Sequence, residues 1–128
     1  MTALLSKMKV TGFFTNITSD RPNDLYNFYR DVVALPAAPE YRRAVRAAGA
    51  VIVFSSHSGV RGGAREPLRQ FTSLSVEDIS AEQARIEAQG VSFIQRKGCD
   101  ERGGIVSTFL DPDGNYVQLL QNNERVMA

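Results

Sequence analysis

A chain of 128 residues, 43% apolar and 23% charged, has the make-up of a globular protein with room for one domain or for two small modules sharing a core. Its net charge of +1, and apolar runs all far shorter than the roughly 20 residues of a membrane span, exclude a broad attraction to nucleic acid and a membrane-spanning helix. Residues 1–10 lack a signal-peptide core and Cys99 stands alone, so no intrachain disulfide forms and a reducing cytoplasm is expected.

In chain order, Lys9 to Thr18 (K-V-T-G-F-F-T-N-I-T) reads as a strand from its β-branched and aromatic content. Alternation puts Phe13, Thr15 and Ile17 on one face, and Phe14, Asn16 and Thr18 with Gly12 on the other. A helix follows, with Ser19 and Asp20 as candidate caps, Pro22 in its first turn and Asp24 at its positive end. Leu25, Phe28, Tyr29 and Val32 form its apolar stripe, and Pro36 stops it. Tyr41 to Arg46 and Ala50 to Ser55 are strands around the Ala47-Ala48-Gly49 turn, the V-I-V-F run of the second predicting burial on both faces. The stretch 57–67 is rich in Gly and polar residues and reads as a mobile linker.

The pattern then starts again. Leu68 to Val76 is a strand, with Leu74 and Val76 on one face and Phe71, Ser73 and Ser75 on the other. Ser80 and Gln83 make a capping box for a helix that ends at Gly90, with Ile79, Ala84 and Ile86 as its stripe. Val91 to Gln95 is a strand, Arg96 to Gly104 a charged loop, and Ile105 to Leu110 with Tyr116 to Leu120 a closing hairpin. Its turn, Asp111-Pro112-Asp113-Gly114, has Pro112 to preset φ and Gly114 to take positive φ. The expected class is α+β: two modules of β-α-β-β-β order (8–56 and 68–121) in a single domain spanning 1–128, pairing into a curved mixed sheet around a concave cleft.

With the doubled order, N-F-Y-R-D-V at Asn27 to Val32 and F-L-D-P-D-G-N at Phe109 to Asn115, the chain resembles the vicinal oxygen chelate superfamily of glyoxalase I, bleomycin-resistance proteins and extradiol dioxygenases. The resemblance implies a homodimer and, in the superfamily's enzymes, a divalent metal held by one side chain from the first and last strands of each half. Carried onto this chain, those positions fall on Phe14, Val53, Phe71 and Gln118. Phenyl and isopropyl groups have no lone pair for a metal, and one amide oxygen is a weak ligand, so no metal and no other cofactor are expected.

Other constellations are weak. His57 is the only histidine and has no partners for a triad or a metal site, and Cys99 lacks the cationic surroundings of a reactive thiol. Asp111 and Asp113 serve the turn, and G-V-R-G-G-A-R at Gly59 to Arg65 lacks the spacing of a phosphate loop. The candidate ligand-binding residues are Phe14, Asn16, Phe71, Ser73, Tyr116 and Gln118, placed by alternation and by the resemblance on the concave face. They describe a mostly apolar pocket with neutral hydrogen-bonding groups, suited to a flat, weakly charged molecule. The expectation is a metal-free small-molecule binding protein; the alternative is a lyase or dioxygenase of the same fold, metal-free or with unconventional ligands.

Overall fold

The structure is a computed structural model that describes residues 7–99 and 104–121. Its elements are β1 (Phe13–Thr18), α1 (Pro22–Asn27) continued by a π-helical turn (Phe28–Val32), β2 (Ala44–Ala47), β3 (Ala50–Ser55), β4 (Thr72–Ser75), α2 (Ile79–Ala88), β5 (Phe93–Cys99), β6 (Ile105–Leu110) and β7 (Tyr116–Gln121). The strands make two mixed sheets, ordered β1-β3-β2 and β4-β7-β6-β5. In each half the first strand runs parallel to the last, β1 with β3 and β4 with β7, and the hairpin neighbours are antiparallel. The chain is α+β, as its alternating patterns predict. The second half carries the complete β-α-β-β-β order. In the first, the strand equivalent to β5 is reduced to one bridge, Ala37 to Val45, because Pro36 and Pro39 on either side cannot donate to a ladder.

Several boundaries differ from the sequence reading, each for a local reason. β1 begins at Phe13 rather than Lys9, just after Gly12, and β4 at Thr72 rather than Leu68, just after a turn closed by Arg69 N to Glu66 O at 3.0 Å. β2 begins at Ala44 because Arg43 takes φ +51, outside the strand region, and sends its guanidinium to Phe54 O. β5 runs on to Cys99, so Arg96 to Cys99 leave the expected loop; register shifts and Lys97 at φ +48 absorb the irregularity. Neither Ser19 nor Asp20 caps α1: Ser19 Oγ accepts from Arg21 N, and Asp20 turns to Gly62 N. The expected Ser80–Gln83 capping box is also absent. Asp78 caps α2 through Ala81 N, while Gln83 is buried against Ser107.

Leu25 and Tyr29 are fully buried, as the first stripe predicts, and pack with Phe54, Ile86, Phe109 and Leu119 in one core shared by both halves. The aromatic rings also cross the boundary: Tyr29 lies 5.0 Å from Phe54 within the first half, and Phe28 lies 6.1 Å from Phe109 of the other half. Polar groups cross it too. Tyr29 OH donates to Asp111 Oδ2 at 2.7 Å, while Asp111 Oδ1 accepts from the Asp113 and Asn115 amides at 2.9 Å each. Arg21 reaches Asp113 Oδ1 at 3.1 Å and Pro112 O at 3.0 Å. From α2, Arg85 donates to Val32 O at 2.9 Å and Val33 O at 2.8 Å, the open carbonyls where the first helix ends. The 57–67 stretch is fastened by Gly62 N to Asp20 at 3.0 Å and by Ala64 N to Asp113 O at 2.8 Å, rather than hanging free between the halves.

Two stability predictions follow from these contacts. Gly114 sits at φ +82 with open space where a Cβ would project, so a side chain there meets backbone strain and no clash. Gly114→Val should lower stability by on the order of 1 kcal/mol or more in urea denaturation, since β-branched residues resist positive φ. Burial, with the Asp111 carboxyl beside it, pushes the Tyr29 phenol far above its ordinary range. Above about pH 10 the unfolded chain therefore loses this proton while the native state keeps it, so stability falls as pH rises, by roughly tenfold in the folding constant per pH unit. Tyr29→Phe should lose stability at pH 7, where the hydrogen bond is removed, yet decline less steeply than wild type between pH 10 and 11; parallel pH curves would contradict this.

Candidate functional site

Among the described residues, the first strand of each half lies at a sheet edge because it pairs only with the last strand of its own half. Between β1 and β4 lies an open groove of about 1000 Å³. Ile17, Ile52, Leu74, Leu119 and Ile86 supply its apolar lining, and Val33 to Leu35 form the wall where the first helix ends. Ala34 takes φ +72 there, which turns the chain out of the helix, and Arg85 holds the carbonyls just before it. The polar groups on the groove include Thr15, Asn16, Ser73 and Asn115, together with Glu82 and Arg85, which pair with each other at 3.1 Å.

The groove gathers Asn16, Phe71, Ser73 and Tyr116 from the residues singled out in the sequence. It does not gather Phe14 or Gln118. Phe14 sets its ring edge-on against Tyr41 with centroids 5.3 Å apart and lies opposite Val51 in the β1–β3 register. Gln118 lies opposite Ser73 in the β4–β7 register and accepts its hydroxyl at 3.1 Å. Phe13 lines the groove as well, a residue that alternation puts on the face of β1 opposite Phe14 and Asn16; it is 64% exposed. Strand alternation reads faces, and the groove wraps an edge, which is why it collects residues of both parities.

Arg85, Glu82, Asn115 and the Ala34-Leu35 wall were missed by sequence reasoning. A Glu82–Arg85 pair at i,i+3 on a helix reads as surface decoration, and nothing local announces that Arg85 reaches across to another helix. Asn115 bonds Asp111 through its side chain at 2.9 Å and lines the groove, so it links the site to the buried Tyr29–Asp111 pair. His57 accepts from Gly59 N at 2.9 Å in a local turn, outside the groove. Among the described residues, no three or more His, Cys, Asp or Glu side chains gather in a metal-holding group. No helix of the described residues is long and apolar enough to cross a membrane.

A family model described as the Glyoxalase/Bleomycin resistance protein/Dioxygenase superfamily matches residues 13–119. No curated protein matches the chain. Among solved structures, TnmS3, an antibiotic binding protein from Streptomyces sp. CB03234, is similar with TM-score 0.70 at 19% identity, over 91% of this chain and 100% of its own. Lactoylglutathione lyase from Agrobacterium tumefaciens is similar with TM-score 0.69 at 16% identity, over 94% of this chain and 100% of its own. A protein from the mobile metagenome of V. Pseudocholerae is similar with TM-score 0.68 at 19% identity, over 94% and 100%. At these identities the likeness is one of fold.

Proposed function

The chain belongs to the glyoxalase/bleomycin resistance protein/dioxygenase superfamily, and we propose that it is a small-molecule binding protein that takes an apolar or aromatic ligand in the groove between β1 and β4. One observation carries this reading: a groove of about 1000 Å³ with an aliphatic lining and neutral amide and hydroxyl groups beside it. In this reading Phe71 and Tyr116 face the ligand's apolar surface, Asn16 and Ser73 orient its polar edge, and Gln118 steadies the Ser73 hydroxyl. Phe14, edge-on to Tyr41, flanks the site. TnmS3 is an antibiotic binding protein, so antibiotics that carry apolar or aromatic groups are the first compounds to try. A reducing cytoplasm suits the single cysteine.

The superfamily's metal does not fit this reading. Of the positions carried over, Phe14, Val53 and Phe71 have no donor atom, and the one amide oxygen, Gln118 Oε1, already accepts from Ser73. Binding without chemistry is favoured because the groove's only ionisable side chains among the described residues, apart from the Tyr116 phenol, are Glu82 and Arg85, and these pair with each other.

A ligand at about a hundred times its Kd should stabilise the fold by roughly 2.7 kcal/mol, which a thermal-shift screen detects. Phe71→Ala should then weaken binding about tenfold, near 1.4 kcal/mol, with the fold intact. Recovery of a chemically altered ligand, or one equivalent of zinc, nickel, manganese or iron surviving gel filtration, would turn the assignment to the enzyme alternative. The reading also includes a homodimer, for which the exposed Phe13 and Leu68 are candidate contacts. Light scattering at micromolar concentration should give twice the chain mass; a value near 14.1 kDa would refute that part.

A further inference from the structure

Thr15, Asn16, Ile17 and Thr18 all line the groove, and so does every residue from Gln70 to Val76. Successive residues of a strand point to opposite faces, so a site lying on a sheet face collects every second residue. Unbroken runs mean that the groove lies against the edges of both strands, where backbone N–H and C=O groups project. β1 pairs only with β3 and β4 only with β7 among the described residues, so each keeps one unpaired edge.

Those edges are also undefended. Proteins protect exposed strand edges with Lys, Pro or inward-pointing charge, yet β1 reads F-F-T-N-I-T and β4 reads T-S-L-S, with no charge and no proline. β5, the edge at the far end of the second sheet, carries Arg96 and Lys97 as well as bulges. The contrast separates an edge kept closed to pairing from two that are left open to it.

We infer that the groove recognises its ligand through the backbone edges of β1 and β4, and that its ligand class is therefore a neutral, extended molecule bearing secondary amides, such as a short peptide or a peptide-like natural product. This rests on the groove being the ligand site and adds what that ligand must carry. Donor and acceptor pairs spaced as in a β-strand pair with β1 or β4, and apolar substituents rest on Phe71 and the aliphatic lining. Neutrality follows from the strands themselves, which offer no charge to pair with.

The test uses a blocked, uncharged tetrapeptide of Val, Phe, Val and Ala, and the same peptide with its alternate amides N-methylated. Both are titrated into the intact protein and followed by amide NMR. The parent should bind and shift β1 and β4 amides, and N-methylation should weaken it at least about tenfold, the loss of two hydrogen bonds. Equal affinity of the two peptides, or shifts confined to other strands, would overturn the inference. If the peptide fails while a planar aromatic compound from the thermal-shift screen binds and shifts groove residues, the amide requirement is wrong and the binding function stands. If neither binds, the groove is not the ligand site and both readings fall. Protection of the β1 and β4 edges from hydrogen exchange in an unliganded dimer would also overturn it, since a second copy would then occupy them.

Discussion

A phenol and a carboxyl group buried against each other, Tyr29 and Asp111, tie the two halves of this chain together. Each group would be costly to bury alone, and each satisfies the other. Asp111 also accepts from the amides of Asp113 and Asn115, so one side chain shapes the last hairpin and anchors the first helix. Arg21 and the 57–67 stretch reinforce the same corner through Asp113. At the other end of the first helix, Arg85 joins its terminal carbonyls to α2. These ties, with the shared aromatic core, set the spacing of β1 and β4 and hence the groove.

Where local chemistry decides local structure, the sequence was readable. Leu25 and Tyr29 lie at helical spacing and are fully buried, and Gly114 takes the positive φ that its turn requires. The V-I-V-F run became β3, the central strand of its sheet, with Val51, Ile52 and Phe54 buried. Legibility failed where a residue's partner is distant in the chain. Asp111 read as a turn residue, which it is, but its bond to Tyr29 spans 82 positions and leaves no local trace. Gln83 fitted a capping box, yet the buried Ser107 took it and Asp78 served as cap.

The candidate site was half legible for a related reason. Alternation sorts residues onto faces, and on that basis Phe14 and Gln118 were grouped with Asn16, Phe71, Ser73 and Tyr116. The groove includes the last four and omits the first two because it lies along strand edges. Which strand is an edge follows from pairing order, and pairing order is a tertiary fact. Pro36 and Pro39 show the same limit: each is an evident breaker, but that they reduce an expected strand to the Ala37 bridge emerges only once β2 is in place.

The groove is itself a consequence of building the fold from two parallel-paired halves. A parallel pair needs a crossover, and here each crossover is a helix with its following hairpin, which inserts the intervening strands on one side of the last strand only. The first strand of each half is therefore left at an edge. Two such halves joined through their helices must bring two open edges to a common gap, unless another strand fills it. The ties that hold the halves together both start from the first helix, Tyr29 to Asp111 of the β6–β7 turn and the Val32 and Val33 carbonyls to Arg85 of α2, so they fix the gap without pairing the two strands that flank it. An open site between two firmly joined modules thus needs no movable lid. It is what remains when the core is shared and the sheets are not.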